Sequence, residues 1–221
     1  MRIVLAGQRS FGASVLSALI DDGHEIACVF APLPVDSKRD RLAMAAERMG
    51  VTLAHGLSVR TMPSGVDLVV AAHSHDFVSE RVLLGTRFGG IGYHPSLLPL
   101  HRGRDAVRWT IKMGDRVAGG SVYWLSNMVD GGPIAAQDYC FVRPDDDAGE
   151  LWRRDLMPMG VRLLRRAVSD ISTGVMVRIS QDESLATWEP SIGRPPLHRP
   201  DLLMLPPPDS EWQIQYVTSR H

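Results

Sequence analysis

Short apolar runs alternate with helically spaced apolar residues through the first 95 positions, and this rhythm is the tightest constraint on the fold. Residues 3–6 form an apolar run closed by Gly7. Phe11, Val15, Leu16, Leu19 and Ile20 then recur at helical spacing until Asp21, Asp22 and Gly23 end the helix. Residues 26–30 read as a second strand, 42–49 as a second helix and 67–72 as a third strand. A helix over about 78–84 and a short strand around 90–93 complete the series. Strands that are apolar throughout and separated by helices belong to a parallel sheet covered on both faces. The expected fold class is α/β, a Rossmann-like, mostly parallel sheet with helices on both faces, plus a short Pro-rich C-terminal extension.

The pattern loosens after residue 95. A Pro- and Gly-rich loop over 95–103 precedes a helix carrying Ala106, Val107, Trp109, Thr110, Ile111 and Met113. Residues 119–125 and 134–142 read as two more strands joined by the loop 126–133. The acidic residues 145–147 open a long helix to about 171, a placement the helix dipole favours. Its Leu151, Leu156, Met159, Leu163, Leu164 and Val168 point inward, Arg153, Arg154, Arg162 and Arg165 outward, and Pro158 is expected to kink or split it. From about Arg194 prolines break regular structure, and Trp212, Ile214 and Tyr216 then alternate like a strand. No internal repeat and no second full domain is visible.

Composition narrows the function classes. With 221 residues, 44% of them hydrophobic, the chain can bury one substantial core. A net charge of −1 argues against a protein built to grip nucleic acid or an anionic membrane. No run reaches the roughly 18 apolar residues of a membrane span, and the N-terminus reads as a strand rather than a signal peptide. A cytoplasmic enzyme or binding protein is expected. Cys28 and Cys140 sit far apart in apolar stretches and read as buried free thiols. His73 and His75 alternate at a strand end within reach of a ligand, but the histidines form no convincing metal set.

Two stretches carry chemistry. YHPSLLPLHRG, residues 93–103, follows a parallel strand, and open α/β sheets bind ligands beyond the carboxyl ends of their strands. His94 at that strand end can polarise a carbonyl or exchange a proton near neutral pH, or simply make a structural hydrogen bond. MVDGGPI, residues 128–134, places Asp130 before two glycines, as a turn residue or as a carboxylate facing the same cleft as His94.

HPSLLPLHRG followed by VDGGPI resembles the 10-formyltetrahydrofolate-dependent formyltransferase family, whose pattern is H-x-S-L-L-P-x-x-R-G and then D-x-G-x-I. GQRSFG near the start resembles the family's G-x-x-x-F-G, and DESLATW resembles its D-E-x-x-A-T-Y. The resemblance covers about residues 1–190 and implies a catalytic domain there, with residues 191–221 as an extension. It implies catalytic roles for His94 and Asp130. Ser96, Leu97, Leu98 and Pro99 would lie beside the formyl group. Ser74, His75, Phe77 and Val78 would help form the pterin pocket, and Val129, Gly131 and Gly132 would belong to a loop closing over the folate.

The implied reaction passes the formyl group of 10-formyltetrahydrofolate, without a metal, to an amino group of a small molecule. Gly92 departs from the asparagine that the family's transferases carry there. The hydrolase domain of 10-formyltetrahydrofolate dehydrogenase also lacks it and has a similar Y-H-P-S-L-L-P-x-H-R-G segment. Formyl transfer to water is therefore the alternative reading, and an inactive folate- or nucleotide-binding module the third. His101 beside Arg102 belongs either to a surface loop or to a contact with an anionic acceptor. The expected partner is a small-molecule acceptor or water, with no membrane. Too little chain follows for the usual C-terminal barrel of methionyl-tRNA formyltransferase, which weighs against tRNA but leaves it open. The aromatic tail is compatible with a homodimer.

Overall fold

The computed structural model of the chain describes residues 1–36, 38–74 and 77–192. The apolar runs of the first half become β1 (Arg2–Gly7), β2 (Glu25–Phe30), β4 (Leu68–Ala72) and β5 (Gly90–His94). The short β3 (Leu53–Ala54), too brief for a periodic signal, pairs with the end of β2. Between the strands lie α1 (Arg9–Asp21), α2 (Arg41–Arg48) and α3 (Glu80–Leu84). Val78, expected inside the third helix, packs buried just ahead of it. The second half adds α4 (Ala106–Met113), β6 (Val117–Trp124), β7 (Ile134–Phe141), α5 (Ala148–Leu151) and α6 (Met157–Ser172).

Among the described residues these strands form one seven-stranded sheet in the order β3-β2-β1-β4-β5-β6-β7. The strands from β3 to β5 run parallel, and β6 and β7 add antiparallel pairs at one side. Side chains alternate across the pleat. Ile3, Leu5, Leu68 and Val70 enter the larger core with α1, α2 and α6, while Val4, Ala6 and Val69 enter a smaller one with Val82 and Leu83 of α3. This is the anticipated mostly parallel α/β sheet, covered on both faces.

Two close approaches shape the sheet's carboxyl edge. A Cβ on Gly7 would lie 2.2 Å from the Ala72 carbonyl oxygen, so only glycine lets β1 end against β4 there. The Tyr93 ring fits because Gly120 and Gly160 lack side chains; a Cβ on either would fall 2.5 Å from a ring carbon. Its hydroxyl donates to the Leu156 carbonyl at 2.7 Å. Asp40 serves two helices, accepting from the Arg9 N–H at the head of α1 and from the Leu42 N–H as N-cap of α2.

Asp147 opens α5 with a reciprocal capping bond to Glu150, while Asp146 binds Arg154, which pulls its carboxyl down to about 2. As expected at Pro158, the long helix is not one uninterrupted α-helix but α5 and α6 with a π turn between them. The proline lacks an N–H to donate one turn back, and the chain widens to a π-helical turn over Trp152–Leu156 directly before α6.

Past α6 the chain returns across β7 and β6 to the loop after β5. Ile179 bridges Ile134, Thr187 pairs with His101 and Arg102, and the Ile192 N–H ends on Asp105. Both cysteines are free; Cys28 is buried, whereas Cys140 is only half-buried, its thiol pushed up to about 11 mainly by burial. Trp212, Ile214 and Tyr216, with nearly all of the 191–221 extension, lie outside the described residues, as does His75.

Candidate active site

β5 delivers His94 to the carboxyl edge of the sheet, buried. Its Nε2 lies 2.7 Å from the His101 carbonyl oxygen. A carbonyl only accepts, so the proton sits on Nε2, and Nδ1 is the nitrogen left for chemistry. Asp130 Oδ2 lies 3.5 Å from that Nδ1. The same oxygen accepts the Gly103 N–H at 2.8 Å, and Oδ1 accepts the Tyr123 hydroxyl at 2.7 Å. Gln181 Nε2 donates to the carbonyls of Asp130 and Gly132, at 2.7 Å each, and so fixes the backbone beneath the carboxylate.

Backbone strain concentrates at this edge. Among the described residues six non-glycine positions have positive φ, and four of them, Arg9, His73, Asp105 and Asp130, line one cleft. Such conformations cost on the order of 1–3 kcal/mol each and persist where the surroundings fix them. The cleft, of about 640 Å³, contains His94 and Asp130 together with Gly92 and Tyr123. Its lining includes the apolar Phe77, Val78, Leu125, Val129 and Trp152 and the cationic Arg9, Arg104 and Arg108.

Of the residues singled out from sequence, His94, Asp130, Ser74, Phe77, Val78 and Val129 line this cleft. Ser96, Leu97, Leu98 and Pro99 do not. Ser96 and Leu97 line a second cavity of about 510 Å³, and Leu98 is buried. The loop turns its back because Ser121 Oγ donates to the Ser96 carbonyl and accepts the Leu98 N–H, while the Pro99 carbonyl accepts the Thr187 N–H. Gly131 and Gly132 also lie off the cleft: a Cβ on Gly132 would strike the Trp124 carbonyl, 1.7 Å away, so this glycine packs under the loop.

His101 is neither at the surface nor in the cleft. It is buried beside the second cavity, with Nε2 2.8 Å from Asp115 and Nδ1 3.1 Å from Glu189, the latter off the line of a hydrogen bond. The two carboxylates, Glu189 foremost, raise its imidazole above the ordinary 6.5 against the opposing pull of burial. Arg102 is fully buried; its guanidinium is held by both carboxylate oxygens of Glu183 and by Gln181.

Tyr123, Gln181 and the Gly103 N–H escaped sequence reasoning. The signal for Tyr123 was its register opposite Gly92, which no one-dimensional pattern displays. Among the described residues no group of three or more His, Cys, Asp or Glu is placed to hold a metal, and no helix is long and apolar enough to cross a membrane.

The arrangement can move a proton at Nδ1 and stabilise the resulting imidazolium with a carboxylate. Comparison with known proteins places it in context. The family profile described as Formyl transferase matches residues 1–167. Mitochondrial 10-formyltetrahydrofolate dehydrogenase of Mus musculus is 37% identical over 201 residues, covering 86% of this chain and 22% of that protein. The chain thus spans about a fifth of that relative's length. Methionyl-tRNA formyltransferase of Levilactobacillus brevis is 27% identical over 213 residues, 90% of this chain and 67% of that one. Glycinamide ribonucleotide transformylase 1 from Symbiobacterium toebii has a TM-score of 0.68 at 26% identity, covering 82% of this chain and 93% of that structure.

Proposed function

The chain belongs to the formyl transferase family, and from that premise we propose that it moves the formyl group of 10-formyltetrahydrofolate onto an amino group of a small molecule. The observation that carries this reading is the approach of His94 Nδ1 to Asp130 Oδ2 at the wall of a cleft large enough for a drug-sized ligand. The lining fits the donor by chemistry: Phe77, Val78, Val129 and Trp152 suit a flat heteroaromatic ring, and His94, Asp130 and Tyr123 supply polar groups in the same cleft. When bound, the folate supplies an amide-like one-carbon carbonyl and a nitrogen leaving group.

His94 takes the proton that the attacking nucleophile sheds, on Nδ1, and returns it to the departing nitrogen. Asp130 stabilises the imidazolium between those two transfers, and the bond from Nε2–H to the His101 carbonyl keeps the ring from turning. The three arginines of the lining favour an acceptor that carries an anionic group. Arg108 faces Asp105, whereas neither Arg9 nor Arg104 has an acidic partner among the described residues.

A second reading, transfer to water, is favoured by Gly92, which brings no side-chain amide to the cleft wall. Assays with 10-formyltetrahydrofolate, with and without a panel of phosphorylated and carboxylated amines, separate the two. Amine-dependent turnover supports transfer, and equal turnover without any amine supports hydrolysis. Either activity should fall about 10²–10⁴-fold in His94→Ala and in Asp130→Asn. Absence of turnover in the wild type under every condition overturns both.

A further inference from the structure

Gly92 and Tyr123 stand directly opposite each other across the antiparallel β5–β6 pair, so their side chains share one face of the sheet. Gly92 projects nothing. A Cβ built on it would lie 3.1 Å from Leu125 Cδ2 and 3.4 Å from Cε1 and Cζ of Tyr123. The phenol ring, together with Leu125, therefore borders the space that a longer side chain at position 92 would enter. The hydroxyl on that ring donates to Asp130 Oδ1. A phenol has one proton, and here the carboxylate takes it, so the hydroxyl cannot also donate into the cleft. Withdrawal from water, with the neighbouring Asp130 charge, holds Tyr123 protonated well above the ordinary 10. Asp130 then has one fixed donor on each oxygen, Tyr123 on Oδ1 and Gly103 N–H on Oδ2. Its carboxylate cannot rotate without breaking one of them, and Oδ2 stays toward His94.

We propose that Tyr123 is a positioning residue for the reaction proposed above. It borders the space that Gly92 leaves and locks the Asp130 carboxylate against His94. Glycine at 92 and tyrosine at 123 form a matched pair, and a longer side chain at 92 pushes the ring aside and undoes the bond that loss of the hydroxyl undoes. The kinetic readout rests on the formyl-transfer reading; the structural readout does not.

The test compares wild type, Tyr123→Phe, Gly92→Asn and the double variant, each with 10-formyltetrahydrofolate. Tyr123→Phe keeps the ring and loses only the hydroxyl. Its kcat should fall about tenfold to a hundredfold, with KM for the donor within about twofold. Gly92→Asn should lose a similar factor, and the double variant should be no worse than the weaker single, because both changes remove one interaction. Crystals of Tyr123→Phe should show the Asp130 carboxylate turned away from His94 Nδ1. A Tyr123→Phe enzyme with wild-type kcat, or single losses that multiply in the double variant, overturns the proposal. If the wild type has no turnover, the formyl-transfer reading has failed, and the crystals alone decide: an unmoved Asp130 refutes the positioning role, and a displaced one supports it.

Discussion

The two halves of the sheet are held by different physics. In the half built on β1–β4, the strand residues Ile3, Val4, Leu5, Leu68, Val69 and Val70 are all fully buried, and of the eight polar residues buried as a whole among the described residues only Gln8 precedes β5. The other seven, His94, Ser96, His101, Arg102, Thr110, Ser121 and Asp130, fall between β5 and the start of β7. Apolar packing has no direction, so the first half gains stability without fixing any group's orientation. Buried polar groups must each find a partner, which orients them. His94 is set by a carbonyl, Asp130 by a phenol and an N–H, and Arg102 by a carboxylate from the returning segment. The apolar core takes residues from both sides of β5, whereas the buried polar groups that fix orientation lie almost wholly on one side.

That contrast breaks if a core change on the first side disturbs turnover. Leu68→Ala removes a fully buried side chain from β4 and should cost about 2–5 kcal/mol in denaturant unfolding. At about 2–4 °C per kcal/mol for a domain of this size, the fall in Tm is easily read. Turnover per folded molecule should stay within about twofold of wild type. A matching collapse of kcat in fully folded protein would mean the two halves are not separable.

Glu183→Ala makes the converse test. It strands the buried Arg102 guanidinium with Gln181 alone. Breaking a buried pair costs about 3–5 kcal/mol, and the low end is expected because Glu183 itself is 55% exposed and water can replace part of it. Here kcat should fall together with stability, since Gln181 also holds the backbone carbonyls of Asp130 and Gly132. Lost stability with unchanged kcat would show that the returning segment only braces the fold.

The same division explains what the sequence made legible. β1, β4 and most of β2 announce themselves because burial in a parallel sheet demands apolar runs, and α6 because its inward leucines repeat at helical spacing, whereas β5, GIGYH, carries a weaker signal. The two-residue β3 carries no period to detect. His94 and Asp130 stand in recognisable motifs, but the turn of Ser96–Pro99 away from the cleft depends on Ser121, more than twenty residues away. Gln181, Glu183 and Thr187 act through single polar contacts on a segment without periodicity, so only the folded chain shows where they bind.

The finest test concerns His101, whose carbonyl holds the His94 ring. Glu189 and Asp115 raise its folded value above the unfolded 6.5. A group whose folded value is raised binds its proton more tightly when folded, so its contribution is complete below 6.5. That contribution is lost as pH rises through the folded value, where a neutral ring is left between two carboxylates. Urea midpoints measured from about pH 6 to about pH 9 should therefore fall more steeply in wild type than in His101→Gln, which has no charge to lose. The effect should be smaller than either substitution above, because Asp115 is partly exposed and solvent screens its share. Parallel profiles would mean that the two carboxylates hold His101 by packing and hydrogen bonding rather than by charge, and the polar half would then keep its geometry at alkaline pH.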